Sequence, residues 1–210
     1  FIDKSPDTVL IAVQGPDTIE LIQDRFEIPE KFSTNYTESF LYARTGYTGE
    51  DGVEIMANNE DAESLLTFLI DKGVKPCGLG SRDTLRLEAS LPLYGFELTE
   101  DITPVEASLN WTITNKNDYL GSNRINDQLS GESHKVLKKF TINSRKIART
   151  ETVGIAGETK GLVTSGNFSP VLNKSIGFIL FENMPSHDLI EFDIRGNLIE
   201  GNIVNKRFLS

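Results

Sequence analysis

The sequence predicts an α+β fold in which a mixed portion of helices and strands is followed by an all-β unit. Two observations favour this class. Up to about residue 117, strand-like runs alternate with segments of helical periodicity. From residue 132 onward, short strand-like runs are separated by Gly, Asn, Ser and Pro, and no helical period is evident. The second pattern indicates a small sandwich or barrel at the C-terminal end.

The mixed portion opens with an apolar run at residues 9–13, which predicts a strand. Asp17 or Thr18 is expected to cap the short helix that follows. Two more strands are expected at 40–44 and 53–56, joined by a loop with three glycines. Glycine is the residue that lets a backbone turn sharply or approach a ligand closely. The loop is therefore a candidate binding element.

Two helices are predicted after these strands. Asn58 or Asn59 caps the first, and Gly73 ends it. Ser81 is expected to cap the second, which runs to about residue 89. Within the first helix, apolar residues recur with the spacing i, i+3, i+4, i+7 and predict one buried stripe: Ala62, Leu65, Leu66 and Leu69.

The rest of the chain is divided into a connecting segment and the all-β unit. One helical turn is expected at 104–108 and a strand at 111–114, followed by a helix at 118–129. The predicted domains are therefore 1–117, a connecting helix at 118–131, and 132–210. The strand-like runs of the last domain are 136–142, 161–164, 175–181, 189–194 and 199–205.

Composition and charge exclude several classes of protein. The 210 residues are 38% hydrophobic and 25% charged, as is usual for a globular protein in water. No apolar run reaches eighteen residues, so no membrane span and no membrane partner are expected. The net charge is −10, and residues 1–117 hold 21 Asp and Glu against 9 Lys and Arg. Such an acidic surface argues against a nucleic-acid partner.

Cysteine and histidine are too few for a disulfide or a common zinc site. Cys77 is the single cysteine, which excludes an internal disulfide, and the two histidines are His134 and His187. A zinc centre is therefore improbable, and no metal site is predicted. Cys77 could be a nucleophile, but a small buried residue before a glycine turn is the favoured interpretation.

Glu54 is the first candidate site residue. It stands between Val53 and Ile55 on a predicted strand, so its side chain points away from the face that they bury. It is either a solvated strand carboxylate or a fixed acceptor for two adjacent N–H donors, as on a pterin or guanine edge. Tyr47, in the glycine-containing loop, could stack on such a ring or be only a half-buried loop aromatic.

Arg82 is the second candidate. It shares a helix face with Arg86, four residues later, and apolar neighbours suggest that both side chains are covered. Covered guanidinium groups need acidic partners, which Asp83 and Glu88 could supply. The pair is then either a purely structural ion-pair network or a network in which Arg82 binds a ligand beside Gly80.

Six segments of the chain, in order and with matching spacing, closely resemble one protein family. The segments are 11–16 (IAVQGP), 44–55 (RTGYTGEDGVEI), 74–89 (VKPCGLGSRDTLRLEA), 93–95 (LYG), 101–107 (DITPVEA) and 163–170 (VTSGNFSP). They resemble the T-protein of the glycine cleavage system, a tetrahydrofolate-dependent aminomethyltransferase family.

The resemblance implies a function and a set of site residues. Members transfer a methylene group from aminomethyl-lipoyl H-protein to tetrahydrofolate and release ammonia, a step of glycine catabolism and one-carbon metabolism. Tetrahydrofolate is then the co-substrate and the lipoylated H-protein is the protein partner. The family's folate contacts fall on Glu54, Arg82 and Tyr47. The fold implied is a folate-binding portion with antiparallel sheets and helices, followed by a small C-terminal β-barrel at 132–210.

The resemblance also implies what this chain does not carry. The family's catalytic aspartate lies upstream of the segment that matches 11–16, so no catalytic residue is assigned. The chain is expected to be an N-terminally incomplete, inactive portion, cytoplasmic in a bacterium or in the mitochondrial matrix of a eukaryote. Two alternatives stay open: the folate-binding half of a sarcosine or dimethylglycine dehydrogenase, and a non-catalytic folate-binding relative.

Overall fold

The computed structural model describes residues 1–114 and 119–209, in two compact units. The first unit is Phe1–Leu85 and the second is Arg86–Ser210. The predicted domain boundary at 117/118 and the predicted helix start at 118 lie outside the described residues. The division into 1–117, 118–131 and 132–210 therefore stays a prediction. No helix of the described ranges is long and apolar enough to cross a bilayer.

The first unit is built on a four-stranded antiparallel sheet with strand order β1-β4-β3-β2. Helices α1 and α2 contribute to its apolar core, together with residues of β1, β3 and β4. Its elements are β1 (Thr8–Gln14), α1 (Thr18–Ile22), β2 (Thr34–Tyr36), β3 (Phe40–Ala43), β4 (Gly52–Asn58) and α2 (Asn59–Asp71). Helix α3 (Leu79–Glu88) begins in the first unit and ends in the second.

Side chains of strand β4 alternate between the buried core and the open face of the sheet. Val53 and Ile55 are fully buried, as their alternation with Glu54 predicts. Glu54 therefore points to the opposite face, where it is only partly buried. Its neighbours across the sheet are Ala12 on β1 and Ala43 on β3. Because both neighbours are alanines, the open face has room around the Glu54 carboxylate.

Helix α2 begins as predicted. The Asn58 side chain caps it by accepting a hydrogen bond from the Asp61 amide at 2.8 Å. Gly73 follows its end with φ of +86°, the left-handed conformation that favours glycine. The predicted apolar stripe is wrong at Leu66, which is 46% exposed, whereas Ala62, Leu65 and Leu69 are buried.

Helix α3 begins three residues earlier than predicted, at Leu79 and not directly after a Ser81 cap. Ser81 does not precede the helix but lies in its first turn, since the amides of Ser81 and Arg82 both donate to the Gly78 carbonyl. The helix ends at Glu88, and Ser90 just beyond it has a left-handed φ of 62°. Arg82 thus lies in the first turn and a half of the helix.

The second unit contains helix α4 (Ser122–Leu129) and a closed six-stranded barrel of order β10-β5-β8-β7-β6-β9. The barrel confirms the predicted β-barrel after the mixed portion, and aromatic side chains such as Phe140, Phe181 and Phe192 fill its interior. Its strands are β5 (Val136–Ile142), β6 (Val153–Ala156), β7 (Thr159–Ser169), β8 (Lys174–Phe181), β9 (Leu189–Ile194) and β10 (Asn197–Val204).

Two sequence-based expectations fail in this unit. Residues 111–114 do not form a strand; a 3₁₀ turn at Asn110–Thr112 occupies this place, where the Thr112 hydroxyl bonds back to the Leu109 carbonyl. Strand β6 was not predicted from the sequence. It is four residues long, too short to show a clear alternation of its own.

Candidate functional site

The loop between β3 and β4, residues 44–51, is closed by an ion pair at its two ends. Arg44 Nε donates to Asp51 Oδ1 at 3.1 Å, and Nη2 donates to Oδ2 at 2.7 Å. This paired hydrogen bond holds the pKa of Asp51 at about 2, helped by the Gly52 amide and by Lys31 at 3.6 Å. The two-pronged contact fixes where the loop leaves β3 and enters β4.

Gln14 forms hydrogen bonds to the same loop and to the start of β4. At the end of β1, its Nε2 donates to the Thr45 carbonyl at 3.1 Å and to the Val53 carbonyl at 3.3 Å. Two glycines fit around it: a Cβ on Gly46 would overlap the Gln14 side-chain amide, and one on Gly52 would overlap the Val13 carbonyl. Glycine is required at both positions by this close approach, not by backbone conformation.

Glu54 is joined to the loop by one side-chain hydrogen bond. The Thr45 hydroxyl donates to Glu54 Oε2 at 2.6 Å. Within the described chain, Oε1 has no hydrogen-bond partner, and the carboxylate lies on the open face of the sheet. A partly buried carboxylate that accepts one hydrogen bond through Oε2 has further acceptor positions that a ligand can use.

Tyr47, in the β3–β4 loop, contacts Arg82, on helix α3. The Arg82 guanidinium carbon lies 4.6 Å from the centre of the Tyr47 ring, a cation–π contact. Both residues line a cavity of about 220 Å³, whose apolar wall comes from β1, α2 and α3: Ile11, Val13, Leu69, Ile70 and Leu85. An apolar wall with an aromatic ring and a guanidinium at the edge suits a flat, partly polar ring system.

Of the three predicted site residues, the structure brings Tyr47 and Arg82 together. Glu54 is not among the residues that line the cavity. Thr45, whose hydroxyl donates to Glu54, lies two residues before Tyr47 along the chain. Sequence reasoning missed Gln14, although a polar residue that ends an apolar strand before Gly15 and Pro16 was a usable signal.

The two arginines of α3 have different environments, contrary to the expectation that both are covered. Arg82 is exposed, whereas Arg86 is 2% exposed and pairs with Glu97 at 3.2 Å. Arg86 also donates to Ser165 at 2.9 Å. Glu88, one of the two acidic partners expected for the arginines, accepts from the Ser169 hydroxyl. Of these two arginines, Arg86 is therefore held in the interior and Arg82 is the one exposed to solvent.

Cys77 is exposed and lines the cavity, so the expectation of a buried cysteine is wrong. The connector between α2 and α3 has no strand or helix of its own, which leaves the Cys77 side chain uncovered. Across the two described ranges, no group of three or more His, Cys, Asp or Glu side chains is placed to hold a metal ion.

The sequence matches two family models that together cover most of its length. Residues 1–117 match the GCVT N-terminal domain, and residues 135–209 match the glycine cleavage T-protein C-terminal barrel domain. The chain thus has the domain order of a T-protein, an N-terminal domain followed by a C-terminal barrel domain. The chain belongs to the glycine cleavage T-protein family, which confirms the resemblance found in its sequence.

Relatives of known name support the same family. The aminomethyltransferase of Thermosipho melanesiensis is 39% identical over 98% of this chain, and that of Synechococcus elongatus is 40% identical over 99%. The crystal structure of glycine cleavage system aminomethyltransferase T from Bartonella henselae superposes with a TM-score of 0.87, at 28% identity over 96% of this chain. The chain spans about 60% of the length of each of these proteins.

Proposed function

We propose that the protein containing this chain is a tetrahydrofolate-dependent aminomethyltransferase of the glycine cleavage system. It takes the methylene group of aminomethyl-lipoyl H-protein, transfers it to tetrahydrofolate and releases ammonia. Support comes from relatives named aminomethyltransferase at about 40% identity along nearly the whole chain. A bacterial source would place the reaction in the cytoplasm.

We further propose that tetrahydrofolate is bound by Glu54, Tyr47 and Arg82. The observation that carries this proposal is the Glu54 carboxylate, which Thr45 orients through Oε2 on the open face of the sheet. A pterin ring presents adjacent N–H donors, and an ionised carboxylate is a strong acceptor for such donors. Tyr47 offers a ring face, and Arg82 offers a charge that can bind carboxylate or ring oxygens.

The chemistry assigned to these residues is binding and orientation. In the proposed reaction, the folate nitrogens N5 and N10 form bonds to the methylene carbon, while its bonds to the amino nitrogen and the lipoyl sulfur break. Ammonia and the lipoyl thiol are then the products. Holding N5 close to the donor carbon removes much of the entropic barrier to the reaction. No residue of this chain is assigned proton transfer.

The activity is tested with the purified protein that contains this chain and with aminomethyl-loaded H-protein. Formation of methylene-tetrahydrofolate and ammonia in equal amounts, above the rate without enzyme, is expected. A version in which Tyr47, Glu54 and Arg82 are all replaced (Y47A, E54Q, R82A) serves as the matched control. Absence of product from the unaltered, folded protein would refute the proposal, and full activity in the triple variant would refute the site.

A further inference from the structure

We propose that Gln14 is a positioning residue for Glu54 and that it acts through Thr45. The proposal rests on the proposed role of Glu54 in folate binding and adds a residue that the family resemblance did not assign. Its starting point is the Gln14 amide, whose Nε2 donates to two carbonyls at once, those of Thr45 and Val53. These residues come from opposite sides of the β3–β4 loop, and Val53 directly precedes Glu54.

Thr45 is held at two atoms that point to different partners. Its carbonyl accepts from Gln14 at 3.1 Å, and its hydroxyl donates to Glu54 Oε2 at 2.6 Å. Threonine is branched at Cβ, so few rotamers are open to it once its backbone is fixed. The Gln14 amide therefore fixes the direction of the Thr45 hydroxyl, and that hydroxyl fixes one oxygen of the Glu54 carboxylate.

The Gln14 amide is oriented by donation alone. Its Oε1 is buried and has no hydrogen-bond partner among the described residues, while both carbonyls lie within reach of Nε2. An unpaired buried acceptor is unfavourable, and an apolar side chain of the same length would avoid it. A residue needed only to fill space would not have to be glutamine. The two donated hydrogen bonds are the property that an apolar side chain lacks.

The surrounding glycines keep this arrangement in place. Gly46 lies directly against Gln14 Oε1, and Gly52 lies against the backbone of Gln14 and Val13, with no space for a Cβ at either site. The loop thus sits close enough to β1 for a single amide to reach both carbonyls. Without the Gln14 donor, Thr45 loses one of its two fixed points, and the Glu54 carboxylate is free to take other rotamers.

The test is a double-mutant cycle on tetrahydrofolate binding, measured by calorimetry in the protein that contains this chain. Gln14→Met keeps the length of the side chain and removes the donor, and we expect it to weaken binding about tenfold. In a Glu54→Gln background the same change should weaken binding less than twofold. Thr45→Val should resemble Gln14→Met, and Thr45→Ser should restore most of the affinity, because serine keeps the hydroxyl.

In the binding experiment, two outcomes would overturn the proposal. One is an unchanged affinity in Gln14→Met, and the other is an equal loss in both backgrounds, which would show that Gln14 acts independently of Glu54. Thermal unfolding confirms that each variant is folded. If Glu54→Gln alone leaves binding unchanged, the folate role of Glu54 fails. NMR relaxation of the Glu54 side chain then decides the proposal separately: greater mobility in Gln14→Met supports it, and unchanged mobility overturns it.

Discussion

Arg86 and Glu97 form a buried ion pair, with Nη1 and Oε2 separated by 3.2 Å and side chains that are 2% and 0% exposed. Glu97 Oε2 also accepts from the Leu93 amide at 2.8 Å, so the pair ties the residues after α3 to the end of that helix. Arg82, one helical turn earlier, is exposed. The sequence presents the two arginines as equivalent, and the structure places one at the surface and the other in the interior.

Replacing Arg86 should therefore destabilise the protein far more than replacing Arg82. Arg86→Met leaves the Glu97 carboxylate buried without its cation, which costs about 3–5 kcal/mol of unfolding free energy. Arg82→Met removes an exposed side chain and should change it by about 0.5 kcal/mol or less. Urea unfolding of both variants checks this. Similar losses for the two would mean that burial does not separate their roles.

Much of the fold could be predicted because local patterns dictate it. The alternation of Val53, Glu54 and Ile55 predicts which side of β4 is buried, and the structure confirms it. The Asn58 cap follows equally well from residue type. Strand β6 could not be found in this way, since Gly154 at its centre is set by the approach of Ile179 and Phe192 from other strands.

The candidate site was predictable only in part, for a related reason. Glu54 and Arg82 stand out by charge in apolar or glycine-rich surroundings. Gln14 gives only a weak local signal, as a polar residue at the end of an apolar strand, because its hydrogen-bond partners are carbonyls 31 and 39 residues away along the chain. The contact between Arg82 and Tyr47 likewise depends on how α3 lies against the β3–β4 loop. Such long-range geometry has no signature in a short sequence window.

Because of the ion pair at the ends of the β3–β4 loop, the stability of the protein should vary with pH in the acid range. The pKa of Asp51 falls from 3.8 to about 2 in the folded protein because Arg44 hydrogen-bonds its charged form. A lowered pKa contributes stability that is complete above about pH 4 and is lost as the pH falls toward 2. Asp51→Asn cannot titrate, so its stability deficit relative to the unaltered protein should shrink over this range. A deficit that stays constant from pH 5 to pH 2 would contradict the assignment.

Glu54→Gln should weaken the binding of tetrahydrofolate while leaving the fold intact. The substitution keeps the size of the side chain and removes the charged acceptor, worth about 1.5–3 kcal/mol, or roughly ten- to a hundredfold in affinity. Glu63→Gln, an exposed carboxylate on α2, is the matched control and should bind as the unaltered protein does. Calorimetric titration measures both. Equal affinities for the two variants would leave Glu54 as a solvated strand residue.

Arg82→Lys should weaken folate binding through geometry, since the charge is kept. Lysine lacks the planar fork of arginine and stacks less well on the Tyr47 ring. A loss of about three- to tenfold is expected, corresponding to about 0.7–1.4 kcal/mol. Arg145→Lys is the control, because Arg145 also lies over an aromatic ring, at 4.8 Å from the centre of Phe168 in the barrel unit. Loss of affinity in the control as well would point to a general effect of charge geometry, and the Arg82 contact would lose its support.

Alanine at Gly46 and alanine at Gly80 should have opposite effects on stability. A Cβ at Gly46 would overlap the Gln14 amide, so either the loop or Gln14 must move and the hydrogen bonds to Thr45 and Val53 weaken. The expected loss is about 1–3 kcal/mol. Gly80 lies inside α3 with open space around its Cα, and alanine there should stabilise the helix by about 0.5–1 kcal/mol. Urea unfolding of the two variants should show a lower unfolding free energy for Gly46→Ala and a higher one for Gly80→Ala. A stabilising Gly46→Ala would mean that Gln14 does not fill this space in solution, and the close packing of β1 against the β3–β4 loop would have to be abandoned.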